Sequence, residues 1–167
     1  GFDFLIESLA HLPSDQRPEL KLVCNWESPA ERYYIQDLAA RCNVGLQVLS
    51  KLNTEQLALE YNKAQLCVYA PVLEPFGLVP LESMACGTPV VGVCEGGVSE
   101  SIVHERTGLL VERDYEQFAR AVQHLLSNPT LASEYGRNGR EHVLRNWTWG
   151  QVVATLESYL AACARMG

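Results

Sequence analysis

The chain has 167 residues and a formal net charge of −7, with 47% hydrophobic and 20% charged residues. This length and balance are typical of one soluble globular domain with a sizeable core. The acidic charge argues against a nucleic-acid-binding surface, which is normally basic. No apolar stretch approaches the roughly 20 residues that span a bilayer, and the first residues lack the pattern of a secretory signal.

The six cysteines favour a reducing compartment. None forms a CxxC pair, and their spacings match no zinc framework. Cys24, Cys67 and Cys94 lie inside or beside apolar runs, so we expect them to be small buried hydrophobic residues. With the composition, this predicts a cytoplasmic protein, and association of a longer parent protein with a membrane stays open.

Helical and strand-like segments alternate from the first residue onwards. Residues 2–12 have apolar residues at helical spacing, and Asp3 suits the positive end of the helix dipole. A buried strand is predicted at 20–25. A helix then runs over 28–42, with Ser28 as its cap and a proline in its first turn.

The same alternation continues to the end of the chain. Further strands are predicted at 45–50, 65–71, 88–94 and 109–112, and further helices at 53–64, 77–87, 115–127, 131–145 and 149–164, with one short helix after residue 97. Strands that alternate with helices imply an α/β fold with a mostly parallel sheet covered by helices.

Two strand-to-helix turns carry both acids and glycines. They are APVLEPFG at 70–77 and VCEGGVSE at 93–100. Ligands bind at the carboxyl ends of the strands in such a sheet, so both turns should lie on one ligand-binding edge.

Glu74 and Glu82 are the candidate acids of the first turn and its helix. Glu82 lies inside the helix, where its carboxylate can accept two hydroxyl hydrogen bonds, as a ribose diol would offer. Pro75 restricts Glu74 to an extended conformation, closer to where a reacting group could sit. Gly77 and Leu78 would start the helix with free amides. Either acid could instead only complement a helix dipole, and the residues themselves leave that open.

The glycine pair of the second turn is the other candidate. Gly96 and Gly97 let the backbone approach a ligand closely. The helix start that follows suits a phosphate, and Ser99 can cap it. The alternative is a tight turn with a capped helix and no ligand.

The stretch YNKAQLCVYAPVLEPFGLVPLESMACGTPVVGVCEGGVSESIVHERTGLLV resembles the retaining glycosyltransferases of family 4. The shared pattern is two glutamates with seven residues between them, then GTPVV, GG and TGLLV. The resemblance covers nearly the whole chain. It implies the GT-B fold of two Rossmann-like domains, with residues 1–167 forming the carboxyl-terminal domain, which binds a nucleotide-sugar donor.

The resemblance also implies roles for individual residues. Glu82 would hold the ribose hydroxyls, and Glu74 would lie beside the donor sugar, as nucleophile or as a sugar contact. The remaining donor-binding residues would be Phe76, Gly77 and Leu78, through amides that meet the sugar and diphosphate, with Gly96 and Gly97 in the second turn. The base would lie near residues 49–52. The family generally needs no metal, so no metal or other cofactor is expected.

The sequence departs from the family at its beginning. Gly1 matches the glycine of a family KG dipeptide, so the arginine and lysine that clamp the diphosphate are not included. The first, central strand of the sheet and the amino-terminal acceptor domain are not included either. We expect this fragment not to transfer sugar alone. We also expect unpaired backbone on two strands, so that the fragment closes the gap, pairs with another copy or is marginally stable.

The function predicted on this basis is that of the donor half of a retaining hexosyl- or glycosyltransferase. It would move a sugar from a nucleotide-diphosphate sugar to an acceptor hydroxyl in polysaccharide or glycoconjugate synthesis, with the acceptor bound by the other domain. The alternative is a non-catalytic nucleotide-binding or interaction module of the same fold. A dinucleotide-binding protein is disfavoured, because no G-x-G-x-x-G follows a strand.

Four residues outside these turns have simpler explanations. Trp147 and Trp149 are predicted to be aromatic anchors of the last helix. We expect His104 to be an exposed loop histidine and Arg140 to belong to a solvated helix face.

Overall fold

The computed structural model describes residues 1–25 and 28–165. It confirms the predicted α/β class. The strands are β1 (Leu20–Cys24), β2 (Leu46–Ser50), β3 (Cys67–Tyr69), β4 (Val90–Val93) and β5 (Gly108–Val111). The helices are α1 (Phe2–Ala10), α2 (Pro29–Arg41), α3 (Thr54–Lys63), α4 (Leu78–Ala85), α5 (Val98–Ser101), α6 (Tyr115–Leu126), α7 (Pro129–Asn146) and α8 (Trp149–Ala164).

Every strand pair is parallel, as the alternation of strands and helices predicts. The strands form two pieces, one in the order β1-β2 and the other in the order β3-β4-β5. The register runs from Leu20 opposite Leu46 in the first piece, and from Cys67 opposite Val90 in the second. All four residues of β4 are buried, because both faces of this central strand are covered: Val91 and Val93 pack in one hydrophobic cluster and Val90 in another.

A groove separates the two pieces. Residues 20–23 of β1 and the whole of β3 line it, together with part of α1, and its volume is about 970 Å³. Within the described ranges β1 pairs only with β2, and β3 only with β4. The expected unpaired backbone is therefore present, and no described segment of the chain pairs with β1 or β3 across the groove.

Local side-chain hydrogen bonds start the helices where the sequence places them. The Ser28 hydroxyl accepts the Glu31 N–H and the Glu31 carboxylate accepts the Ser28 N–H, so the cap of α2 is reciprocal. Asn53 and Gln56 do the same for α3. The sequence predicts this helix over 53–64 with either Asn53 or Thr54 as its cap, and the structure selects Asn53.

The main core lies where α1 and α6 pack against the sheet. Its largest side chains include Ile6, Leu9 and Phe118. A second cluster lies beneath α4 and α5 and is built from Leu81, Met84, Val90, Val98 and Ile102. Phe76 of the first strand-to-helix turn and Val98 after the second both pack in this smaller cluster.

Two predictions about burial are wrong. Cys94 is exposed, because β4 ends at Val93 and Cys94 already belongs to the turn. Cys24 and Cys67 are half-buried, and Cys67 packs against the second cluster, so for these two residues the prediction holds in part. Trp149 is 85% exposed and anchors nothing, whereas Trp147 packs against other side chains.

The last helix, α8, presents an apolar surface to solvent. None of its residues is buried, and Leu156, Tyr159 and Leu160 are among the exposed large side chains. Among the described helices, none has both the length and the hydropathy needed to cross a membrane.

Candidate functional site

The Glu74 carboxylate folds back over the start of α4. Its Oε1 accepts the Gly77 backbone N–H at 3.2 Å, and the Tyr69 hydroxyl lies 3.5 Å from its Oε2. Burial, followed by the charge of Glu74, raises the pKa of Tyr69 to about 12. Tyr69 therefore stays protonated and can donate to the carboxylate at neutral pH.

Gly77 is the N-cap of α4 and adopts a left-handed conformation with φ +81°. Such a value favours glycine, because a Cβ would clash with the backbone. The amides of Leu78 and Val79 follow in the first turn, where N–H groups have no acceptor inside the helix. Leu78 is exposed. The predicted helix start is therefore present, but the prediction of a free Gly77 amide is wrong, because that N–H donates to Glu74 Oε1.

The second turn lies directly against the first. The Gly97 N–H donates to the Glu74 backbone carbonyl at 3.0 Å. A Cβ on Gly97 would lie under 3.0 Å from Phe76 Cα, and a Cβ on Gly96 under 3.0 Å from the Glu74 carbonyl. The structure thus brings the two turns together on one edge, as predicted.

This packing gives a different reason for the glycine pair. What approaches Gly96 and Gly97 is the backbone of residues 74–76, so the turn needs small residues even without a ligand. The predicted Ser99 cap is wrong. Gly97 is the N-cap of α5, and the Ser99 hydroxyl donates to the Gly96 carbonyl at 2.8 Å. Helix α5 is a single turn, so it provides little dipole for a phosphate.

Glu82 lies on the groove side of α4 rather than beside the glycine turn. It is exposed and borders the groove between β1 and β3. The Tyr61 hydroxyl donates to Glu82 Oε2 at 3.1 Å. Burial, with smaller contributions from neighbouring groups that include Glu82, raises the pKa of Tyr61, so the phenol remains a donor. Tyr61 carries no sequence signal beyond its place in a helix.

Arg113 is a second residue that sequence reasoning missed. Its Nε and Nη2 donate to the two carboxylate oxygens of Glu95, and its Nη1 and Nη2 donate to the carbonyls of Ala70 and Pro71. The guanidinium carbon also lies 5.1 Å from the centre of the Phe4 ring. One side chain thus fastens the beginnings of both turns.

Leu73, just before Glu74, has a left-handed backbone with φ +53° and is 85% exposed. A leucine in this conformation is uncommon and costs free energy. The strain is local to the loop that carries Glu74.

Three side chains outside the turns have mostly structural contacts. His104 is half-exposed, and its Nδ1 accepts the Leu110 N–H at 3.0 Å. Thr107 is buried and its hydroxyl accepts the Val103 N–H at 2.9 Å. Arg140 donates to the Ala85 carbonyl at the end of α4, so it is not only part of a solvated face.

Within residues 1–25 and 28–165, no three side chains of His, Cys, Asp or Glu lie close enough together to hold a metal ion. The polar groups at the edge are backbone amides, two glutamates and tyrosine hydroxyls, which suit a polar organic ligand.

The fold is that of a GT-B glycosyltransferase domain. The structure resembles that of sucrose-phosphate synthase from Thermosynechococcus elongatus with a TM-score of 0.83 and 33% identity. The match covers 100% of this chain and 43% of that one.

Related sequences define the family. The sequence profile described as "Glycosyl transferases group 1" matches residues 1–142. Alpha-maltose-1-phosphate synthase of Mycolicibacterium smegmatis is 38% identical over 133 residues, which is 75% of this chain and 34% of that protein. D-inositol 3-phosphate glycosyltransferase of Pseudarthrobacter chlorophenolicus is 40% identical over 119 residues, which is 70% of this chain and 28% of that protein. The chain belongs to the glycosyl transferases group 1 family, and it spans about a third of the length of these relatives.

Proposed function

We propose that residues 1–167 form a donor-binding domain of a retaining glycosyltransferase, which holds a nucleotide-diphosphate sugar at the carboxyl edge of β3 and β4. The observation that carries this proposal is the contact between the two turns. The backbone of residues 74–76 lies against Gly96 and Gly97, and the Glu74 carboxylate lies at the start of α4, where it accepts the Gly77 N–H.

The amides at the start of α4 suit the diphosphate. Leu78 is exposed, and N–H groups at a helix start attract anions through hydrogen bonding and the helix dipole. Gly77 donates to Glu74 in the structure, so a donor oxygen would replace the carboxylate at that amide. Such donors would also stabilise the charge that develops on the leaving nucleotide.

The two glutamates would bind different parts of the donor. Glu82 takes the Tyr61 hydroxyl and keeps acceptor capacity for the ribose hydroxyls. Glu74, released from Gly77, would face the donor sugar, as nucleophile or as a sugar contact. The proposed site uses no metal and no other cofactor, because amides bind the diphosphate.

Transfer to an acceptor hydroxyl, with retained anomeric configuration, would belong to a longer protein. The relatives are longer than this chain, and a second domain would bind a sugar, lipid or other acceptor. This chain by itself would bind donor without transferring it, and measurable turnover by the pure chain would contradict that. Its six free thiols suit the cytoplasm. The groove edges would also allow pairing with a second copy.

The test is a calorimetric titration of the chain with UDP, GDP, ADP, UDP-glucose and GDP-mannose. We expect one nucleotide and its sugar to bind, and Glu82→Ala to weaken both by about tenfold, the loss of a charged hydrogen bond. Glu134→Ala, an exposed glutamate on α7, is the matched control and should bind as the wild type does. No binding at millimolar ligand, or equal binding by both variants, would reject the proposed site.

A further inference from the structure

Phe76 is held on two sides. Its Cα faces Gly97, at a spacing that leaves no room for a Cβ on that glycine. Its ring lies 5.3 Å from the Trp147 ring, centre to centre, with 60° between the planes. Both aromatic side chains pack on the second hydrophobic cluster. A shift of Trp147 would therefore reach the glycine turn through Phe76.

Trp147 is held in turn by His142. Trp147 follows α7 directly, and its backbone N–H bonds to the Val143 carbonyl. Its indole Nε1–H lies 3.0 Å from His142 Nε2. An indole N–H can only donate, so Nε2 must be the unprotonated nitrogen of a neutral imidazole. An imidazolium would turn a second N–H towards the indole and break this bond.

We propose that His142 and Trp147 are positioning residues for donor binding: they hold Phe76, and with it both turns, in the arrangement that receives the diphosphate. This inference rests on the proposed function. Neither side chain belongs to the ligand edge itself, so the two residues act through Phe76 and do not touch the reacting atoms.

The consequence is a pH-dependent affinity. Burial, and to a smaller degree the positive charge of Arg106, lower the pKa of His142 below its ordinary value. On its own helix, Glu141 and Arg145 pair with each other at 3.1 Å. The affinity for the donor is then at its maximum above a pH of about 6.5, the ordinary histidine pKa. It falls as the pH drops through the lowered pKa of His142. The phosphodiester groups of a nucleotide sugar keep their charge over this range.

The probes are UDP-glucose and GDP-mannose, titrated into the 167-residue chain at pH 7.5 and 5.5. We expect the wild type to bind about fivefold more weakly at pH 5.5, the equivalent of one lost hydrogen bond. His142→Gln offers a non-titrating acceptor and should bind equally at both values. Trp147→Phe keeps a ring against Phe76, lacks the N–H, and should also lose the pH effect. His124→Gln, an exposed histidine on α6, should keep it.

Two outcomes separate the inference from the proposed function. If the wild type binds neither probe at pH 7.5, the proposed function fails, and the positioning role with it. If it binds, but His142→Gln keeps the wild-type loss at pH 5.5, only the positioning role is overturned.

The ligand-free chain provides an independent measurement. The Trp147 indole N–H signal in NMR, assigned by its absence in Trp147→Phe, should titrate with His142 in the wild type and stay constant in His142→Gln. If the Trp147 indole signal of the ligand-free wild type does not change with pH, the inference is contradicted.

Discussion

Arg113 and Glu95 meet through two parallel hydrogen bonds, 2.7 Å from Nε to Oε1 and 2.8 Å from Nη2 to Oε2. This two-armed geometry is specific to arginine and a carboxylate. Because Arg113 also donates to the carbonyls of Ala70 and Pro71, the pair connects the ends of β3, β4 and β5. Arg113 thus stabilises the sheet edge that carries the candidate site.

Replacing Arg113 should loosen that edge. Arg113→Ala leaves Ala70 and Pro71 without their donor, and we expect the free energy of unfolding to fall by about 2 kcal/mol. Arg113→Lys cannot reproduce the fork and should recover only part of the loss. Urea denaturation measures both. Arg137→Ala, on the exposed surface of α7, is the control, and an equal loss there would contradict a special role for Arg113.

The same pair predicts a pH dependence of stability. The hydrogen bonds from Arg113 lower the pKa of Glu95 below the ordinary carboxyl value, about 4.3. A carboxylate whose pKa is lower in the folded state stabilises the fold above its unfolded pKa. That contribution is lost as the pH falls through the folded value. Glu95→Gln should therefore show a smaller loss of melting temperature between pH 6 and pH 3.5 than the wild type. Parallel curves for the two proteins would refute this.

Gly97→Ala tests the contact between the two turns. The φ of Gly97 is −69°, which any residue adopts, so the cost is purely steric. A Cβ would meet Phe76 Cα and the Pro75 carbonyl, and we expect a loss of about 1–3 kcal/mol, with weaker donor binding. At Gly150, in α8, a Cβ meets nothing within 4 Å. Gly150→Ala should gain about 0.5–1 kcal/mol in the same assay.

Tyr61→Phe tests whether the phenol orients Glu82. Removing the hydroxyl frees the Glu82 carboxylate, and we expect nucleotide affinity to fall about fivefold, with little change in stability. Tyr33→Phe, at a tyrosine that is 72% exposed on α2, is the matched control. Unchanged nucleotide affinity in Tyr61→Phe would show that Glu82 needs no partner on α3.

Amide hydrogen exchange tests whether the groove is open. The β4 amides lie between two strands and should exchange slowly, whereas amides of β1 and β3 that face the groove should exchange faster. Uniform protection of β3 would mean that something fills the groove. If that protection grew with protein concentration, a second copy would be the occupant.

The helices and strands can be predicted from the sequence because the signals for them are local. The caps of α2 and α3 use side chains three residues from the groups they bond, so the sequence alone indicates Ser28 for α2 and either Asn53 or Thr54 for α3. The class of sheet follows from the alternation of strands and helices. The two turns at the carboxyl edge follow from the strand-to-helix order, and the structure places them side by side. The residues of the family pattern also lie close together in the sequence, and the family that they indicate is confirmed.

Tertiary structure alone decided which distant groups meet. Arg113 reaches Ala70 and Pro71 across more than 40 residues, Tyr61 finds Glu82 across 21, and Trp147 finds Phe76 from the far end of α7. These contacts depend on where strand and helix ends come together, which no local spacing encodes. The exposure of Cys94 had the same cause, because its burial depended on where β4 ended against its neighbours. Sequence determined the helices and their caps, since those hydrogen bonds close within one turn, while packing chose the distant side chains that hold the two turns in place.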